Sequence, residues 1–315
     1  PGEGSRGTVE RNDLNGSMKL SSNDLFLLSR CAISAAYQAG QIISTKSRHP
    51  VKINTKKGGT SLASQVVTEV DHLSQAVILK NLIPTCEIFD LALLSEESPD
   101  NLERLEKDYF WCIDPLDGTL PFVQSTPGYA VSIALVSREG APLIGVVYDP
   151  VKQTLYHAVK GNGAFRNGKP WKIKSASTSS ATKLTLIADR SFEDHPLYST
   201  VIAELNYVAV NLGYDGLNTL LQGGAAMNAC WVLEKSPACY FKFPKPQDGG
   251  GSLWDYAATA CLFIESGAVV SDIYGNSLDL NRPDSTFMNH RGVLYSSSHD
   301  LANYIMDLYS KLRTD

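Results

Sequence analysis

Four short apolar runs constrain the fold of this chain more than any other feature. "YFWCI" (109–113), "YAVSIALV" (129–136), "LIGVVYD" (143–149) and "TLYHAV" (154–159) are rich in β-branched and aromatic residues. "SREGAP" and "DPVKQ" separate the last three, and "KGNG" follows them. Runs of this length, bounded by Gly, Pro and charged turn signals, read as a meander of antiparallel strands. "GNGAF" (161–165) therefore reads as a hairpin turn, not as a dinucleotide-binding loop.

The flanks follow other periods. Leu25, Leu28, Ile33, Ala36 and Ile42 recur at helical spacing over residues 22–46, with Ser22 or Asn23 as the cap. "KINTKKGGTSLASQ" (52–65) is a polar, basic loop. Thr68 is expected to open a second helix whose apolar face is Leu73, Val77 and Ile78. Beyond the meander, "LTLIAD" (184–189) reads as a strand, followed by a helix near 195–205. "YVAVNLG" (207–213) and "ACYFKF" (238–243) read as strands alternating with helices near 216–230 and 253–266. "HDLANYIMDLYSKL" (299–312) is an amphipathic helix. The expectation is a mixed α+β and α/β chain with two layers of sheet sandwiched between helices. An N-terminal part (18–178) holds the antiparallel sheet, a C-terminal α/β part (179–315) follows, and the soft boundary lies near 172–184.

Composition narrows the function. The 315 residues are 43% hydrophobic and 19% charged, with a formal net charge of -5. That suits a globular chain with a substantial core and lacks the basic footprint of a nucleic-acid binder. An anionic ligand would need local basic groups or metal ions. The six cysteines form no CxxC pair and most sit in apolar stretches, as reduced core thiols of a cytoplasmic protein do. No apolar run reaches the ~20 residues of a membrane span. Residues 1–17 have no hydrophobic segment, so they read as a flexible leader rather than a secretory signal.

Chemistry is concentrated in four places. In "WCIDPLDGTLPF" (111–122), Asp114 and Asp117 follow an apolar run, and Asp-Pro and Asp-Gly favour a tight turn at a strand's end. Taken alone this is equally a solvated Asp-rich turn. Glu96 and Glu97 follow another apolar run in "LLSEES". Asp255 begins an Ala-rich helix in "GGGSLWDYAATA", where a first-turn acid also serves the helix dipole. Asp71, three residues after Thr68, fits a capping box. Clustered oxygen ligands are what hard divalent cations need. There is no G-x-S-x-G, H-E-x-x-H or P-loop, and no nucleophilic side chain stands out.

Taken in order, Glu-Glu, Asp-Pro-Leu-Asp-Gly-Thr and Trp-Asp-Tyr-Ala-Ala resemble the inositol monophosphatase superfamily of Mg²⁺-dependent, Li⁺-sensitive phosphatases, over about residues 22–312. The resemblance implies a layered αβαβα sandwich like that of the inositol monophosphatases and fructose-1,6-bisphosphatases. It implies that Glu96, Asp114 and the Leu116 main-chain oxygen hold one Mg²⁺, and that Asp114, Asp117 and Asp255 hold a second. Glu97 is implied to support the site through ordered water. Thr119 and Asp71 are implied to polarise the attacking water, with Glu96 taking part in catalysis. Gly118 and Thr119 are implied to offer main-chain N–H groups to the phosphate. Two or three Mg²⁺ ions are implied, with Mn²⁺ as a substitute and Li⁺ and Ca²⁺ as inhibitors. Such metals offset the ester's negative charge and acidify a bound water. Dimers are common among the proteins this chain resembles, so a homodimer is implied, and its expected partner is a small phosphorylated metabolite rather than a nucleic-acid polymer or a membrane.

The substrate is less constrained. Lys242 and Lys245 lie in "CYFKFPKPQDGGGSLWD" (239–255), where inositol monophosphatases usually place an acidic residue. A cationic, longer loop suits a second phosphate. "GNSLDLNRPDSTFMNHRGVLYSSS" (275–298) is similar to a stretch of the bacterial 3'(2'),5'-bisphosphate nucleotidases. Against this, their Lys-Glu-Phe after Asp-Gly-Thr is replaced by Leu120-Pro121-Phe122. The sequence therefore favours adenosine 3',5'-bisphosphate as substrate, with inositol 1-phosphate or another sugar phosphate as the alternative. An inactive ligand-binding homologue would have lost a metal ligand, and every expected ligand is present.

Overall fold

The computed structural model describes residues 19–47, 53–55, 66–174 and 182–313. The leader 1–17 and most of the 52–65 loop lie outside them. Ser21 starts the first helix, one or two residues before the expected cap. Its Oγ accepts the Asp24 N–H at 3.2 Å, and the Asp24 carboxylate accepts the Ser21 N–H at 2.8 Å. Helix α1 (Ser22–Lys46) buries Leu28, Ala32, Ala35, Ala36, Ala39 and Ile43, mostly small side chains that let the helix lie close to a sheet.

Strands β1 (Ile53–Thr55) and β2 (Val66–Thr68) form an antiparallel pair, so Thr68 ends a strand and α2 (Glu69–Phe89) begins after it. The expected apolar face of α2 is rotated. Leu73 is exposed, while Val70, Ser74, Ile78, Leu82, Thr85 and Phe89 are buried. The buried stripe includes two hydroxyls, which apolar periodicity alone does not count. Ser74 Oγ donates to the Pro115 carbonyl at 2.7 Å, and Thr85 Oγ1 accepts from Trp111 Nε1 at 2.9 Å.

The meander forms as expected. Strand β3 (Ala92–Ser95) pairs parallel with β4 (Tyr109–Asp117), and a short helix, α3 (Thr119–Val123), leads into β5 (Ala130–Ser137). Antiparallel β6 (Pro142–Asp149), β7 (Thr154–Val159), β8 (Gly163–Arg166) and β9 (Lys169–Pro170) complete a seven-stranded sheet in chain order. "GNGAF" is the β7–β8 hairpin. Successive residues of β4 face opposite sides. Trp111 and Ile113 join the core under α1 and α2, while Phe110 and Cys112 join a second core on the other face.

The second half contains β10 (Leu184–Ala188), α4 (Tyr198–Asn211), β11 (Leu217–Leu221), α5 (Ala225–Glu234), β12 (Ala238–Lys242), α6 (Leu253–Ser266), β13 (Val269–Ser271), β14 (Val293–Ser296) and α7 (His299–Leu312). Two sequence expectations are corrected here. Tyr207–Asn211 is the end of a helix, because Val201, Leu205, Val208 and Ala209 are buried together at helical spacing. The helix expected near 216–230 is a strand, Leu217–Leu221, and then a helix from Ala225. The half-exposed "LNTLL" has little strand signal of its own and is recruited by parallel pairing with β10.

The five-stranded sheet has the order β11-β10-β12-β14-β13. Tyr240 and Tyr295 face the core shared with the first sheet, while Cys239, Phe241 and Leu294 face α4 and α7. Helices α5 and α6 lie between the sheets, and nine successive residues of α5, Ala225–Leu233, are buried. The layers are thus helix, sheet, helix, sheet, helix, and the two halves share the central core. All six cysteines are free thiols, and four of them are buried. Among the described residues no helix is long and apolar enough to cross a membrane.

Candidate active site

The Asp-Pro-Leu-Asp segment is a bulge rather than a turn beyond the strand. Asp114 pairs with Ser132 and Asp117 with Ala130, so three steps on β4 oppose two on β5. Residues three apart in a regular strand point to opposite faces. The extra residue restores the phase and turns both carboxylates to one side. Asp114 Oδ1 accepts the Leu116 N–H at 3.0 Å, which stabilises the bulge.

Other elements bring further acids to the same place. Asp255 is in the first turn of α6, and its Oδ2 accepts the Ser252 N–H at 2.6 Å. Oxygens of Asp114, Asp117 and Asp255 lie within 4.8 Å of one another. Parallel pairing of β3 with β4 sets Glu96 beside the strand, its N–H donating to the Ile113 carbonyl at 3.1 Å. Glu96 is not one of the three that converge most tightly, but its charge acts on Asp114 and Asp117. The Glu97 side chain is buried, with its Oε2 3.9 Å from His72 Nε2.

Asp71 is buried in the first turn of α2. One turn further on, Ser74 bonds Pro115 of the bulge, and Gln75 is bonded to both Ser95 and Ser98 around the Glu96–Glu97 loop. One helical turn therefore braces two acidic segments. Thr119 Oγ1 donates to the Leu116 carbonyl at 3.3 Å, which ties it to the bulge.

The electrostatics of this cluster are unfavourable without cations. Burial, followed by the charges of Glu96, Asp117 and Asp255, pushes the Asp114 carboxyl well above the usual carboxylate range. Burial and then Asp255 raise Asp117, partly opposed by the Ala226 N–H. Burial also raises Asp255, and the Ser252 N–H opposes that. Like charges held together in a partly dry site are stabilised by bound cations, and an all-oxygen donor set suits hard divalent ions.

Two features escaped the sequence reading. The first is the start of α5, where the Ala226 N–H donates to Asp117 Oδ2 at 2.8 Å. A Cβ on Gly224 would lie 2.6 Å from that oxygen and from Gly118 Cα, so only glycine allows this approach. Gly118 itself has φ +81°, a conformation that favours glycine. The Gly-Gly before an Ala-rich run was the available signal. The second is Asp189, whose Oδ2 lies 2.6 Å from Lys242 Nζ. Burial alone would lower the Lys242 ammonium, but the Asp189 charge holds it above its usual value. Lys242 is therefore a paired cation. Lys245 is exposed in the following loop, its backbone bonded to Asn289.

Comparison with known proteins agrees with this architecture. The profile of the inositol monophosphatase family matches residues 25–311. Inositol monophosphatase 1 of Solanum lycopersicum is 30% identical over 275 residues, covering 87% of this chain and 95% of that protein. The 3'(2'),5'-bisphosphate nucleotidase CysQ of Salmonella typhimurium is 31% identical over 229 residues, covering 71% and 82%. The crystal structure of the extragenic suppressor protein suhB from Bartonella henselae superposes with a TM-score of 0.68 at 22% identity, covering 90% of this chain and 99% of that one.

Proposed function

The chain belongs to the inositol monophosphatase family, and on that premise we propose that it is a Mg²⁺-dependent hydrolase of small phosphate monoesters. One observation carries the reading: the oxygens of Asp114, Asp117 and Asp255 lie within 4.8 Å of one another. With Glu96 and the Leu116 carbonyl they form an oxygen-only donor set that fits Mg²⁺. Bound there, Mg²⁺ supplies charge neutralisation and an acidified water.

The remaining work falls to this chain's own groups. Thr119 Oγ1 holds a proton beside the bulge, and Asp71 completes that relay. The Gly118 and Thr119 N–H groups bind phosphate oxygens. Ser74 and Gln75 keep the acidic segments in place, so little reorganisation accompanies reaction. Phosphate release from a panel of esters, with and without Mg²⁺, tests the reading. Release that is absent with every ester, or unaffected by removing Mg²⁺, would refute it.

The substrate has two readings. Adenosine 3',5'-bisphosphate is supported by the 31% identity to CysQ and by exposed Lys245. If Lys245 holds the second phosphate, Lys245→Ala raises KM for the bisphosphate roughly ten- to a hundredfold and leaves KM for a monophosphate nearly unchanged. A polyol or sugar monophosphate is supported by the pairing of Lys242 with Asp189, which removes Lys242 as a free cation for a second phosphate. The geometry favours this second reading.

A further inference from the structure

Resting on the Mg²⁺-phosphatase reading, we propose that buried Arg104 is a positioning residue for the metal site. With Asn281 it ties the Glu96–Glu97 segment to the segment that seats the N-terminus of α6, and so fixes Glu96 relative to Asp255.

Glu96 and Asp255 are the two proposed metal-holding acids that do not come from β4, so their segments need a link of their own. One end of that link starts at Asp100, four residues after Glu96. Asp100 Oδ2 accepts from Arg104 Nε at 2.9 Å, and Oδ1 accepts the Leu102 N–H at 3.0 Å. Leu102 takes φ +65°, which residues other than glycine rarely adopt, at the start of the single 3-10 turn Glu103–Leu105. The turn sends Arg104 inward, where its side chain is 2% exposed. There Nη1 donates to Asn281 Oδ1 at 2.6 Å and to the Arg282 carbonyl at 2.9 Å. Asn281 Nδ2 donates in turn to the carbonyls of Arg104 at 2.9 Å and Arg138 at 2.8 Å. Guanidinium and amide thus interlock.

The other end reaches Asp255. Arg282 Nη1 donates to the Phe287 carbonyl at 3.0 Å and to Asn289 Oδ1 at 3.2 Å. The Leu253 N–H donates to the Thr286 carbonyl, and the Met288 N–H to the Gly251 carbonyl, both at 2.9 Å. Ser252 forms an antiparallel bridge with Phe287 between them, and Asp255 holds the Ser252 N–H. The path from Glu96 to Asp255 therefore runs through Asp100, Arg104, Asn281 and residues 286–288. Cys112 of β4 lies beside it: after burial, the charges that act most on its thiol are those of Asp255, Arg104 and Asp100. Folding stability alone is a poor reason for a buried arginine, since apolar replacements of a buried ion pair are often neutral or stabilising. A planar guanidinium fixes direction and distance instead. Groups that orient metal-holding side chains from behind typically change metal affinity about 10- to 100-fold when lost.

A strut that served only folding would show the same contacts, so the test separates the two. Arg104→Met, Asn281→Ala and the double variant of the full chain are titrated with Mg²⁺ by calorimetry. Arg104→Met is expected to weaken Mg²⁺ binding about tenfold or more. The Mg²⁺ concentration for half-maximal phosphate release should rise by the same factor, with KM for the ester at saturating Mg²⁺ little changed. Because the two residues share one link, the double variant should bind Mg²⁺ about as well as the weaker single variant. Tyr156→Phe is the control, since the Tyr156 hydroxyl bonds Glu234, at the far end of α5 from Ala226. It should lower Tm and leave Mg²⁺ affinity unchanged. Native Mg²⁺ affinity in Arg104→Met, additive losses in the double variant, or an equal loss in Tyr156→Phe overturns the proposal. Asn281→Ala carries the comparison if Arg104→Met does not fold. If the unmodified chain binds Mg²⁺ but releases phosphate from no ester, the phosphatase reading fails and the calorimetry still decides the link. If it binds no Mg²⁺, both fall.

Discussion

The main-chain N–H of Ala226 donates to Asp117 Oδ2 at 2.8 Å across 109 residues of chain. This bond joins the bulged strand of the first sheet to the helix that lies between the sheets. It directs a helix N-terminus, with its partial positive charge, at a carboxylate in an otherwise anionic cluster. The cluster therefore depends on how closely the two halves approach.

Gly224→Ala tests that dependence. The added methyl would meet Asp117 Oδ2 and the Gly118 backbone at 2.6 Å, so one side must move. Overpacking of this kind costs about 1–3 kcal/mol. Thermal melts should show a lower Tm, and a calorimetric titration should show weaker Mg²⁺ binding. Native values for both would mean that the approach is not tight.

Asp114→Asn should lower kcat/KM by several orders of magnitude while the fold survives. Asp114 is buried and pushed above the usual carboxylate range, so its charge is unfavourable in the metal-free protein. Without metal near neutral pH, the variant should melt at or above the temperature of the unmodified chain, and added Mg²⁺ should raise its Tm less. Near-native turnover would remove Asp114 from the metal site.

The raised carboxyls also set a pH dependence. Asp114 and Asp117 have folded-state pKa values above their unfolded ones. Their contribution to metal-free stability is complete below the unfolded value of about 3.9 and is lost as pH rises through the folded value. Mg²⁺ binds the deprotonated form, so its stabilising effect grows in the opposite direction. The rise in Tm on adding Mg²⁺ should be larger at about pH 8 than at about pH 5.5. A rise that is independent of pH would separate metal binding from these groups.

Thr119→Ala should lower kcat strongly and leave Mg²⁺ affinity nearly unchanged, since Thr119 reaches the site through its bond to the Leu116 carbonyl. Titration calorimetry and steady-state kinetics on one preparation check both halves of that statement. Li⁺ at tens of millimolar should inhibit the unmodified chain by occupying a Mg²⁺ position, as the family resemblance implies.

Local chemistry made much of this protein legible in its sequence. The antiparallel runs from 109 to 159, the first helix and the last one follow from the spacing of apolar groups, and each fits its neighbours without conflict. The acidic segments are each ordinary when taken alone, and they stood out as an ordered set that resembles the inositol monophosphatase superfamily. Where a segment's own preference was weak, tertiary pairing decided. "YVAVNLG" has β-branched residues but packs as a helix on the second sheet, and "LNTLL" becomes a strand only beside β10.

The sequence by itself determined which residues carry charge, and it marked Asp114, Asp117, Glu96 and Asp255 as candidates. Their convergence was decided only by the tertiary structure. A one-residue bulge sets the phase of Asp114 and Asp117, parallel pairing sets Glu96 beside them, and the seating of α6 brings Asp255. The same holds for Asp189 and Lys242, 53 residues apart and joined because β10 and β12 are neighbours. The physical reason is that side-chain chemistry is local, whereas register, bulges and close backbone approach come from hydrogen bonds and packing between segments far apart in the chain.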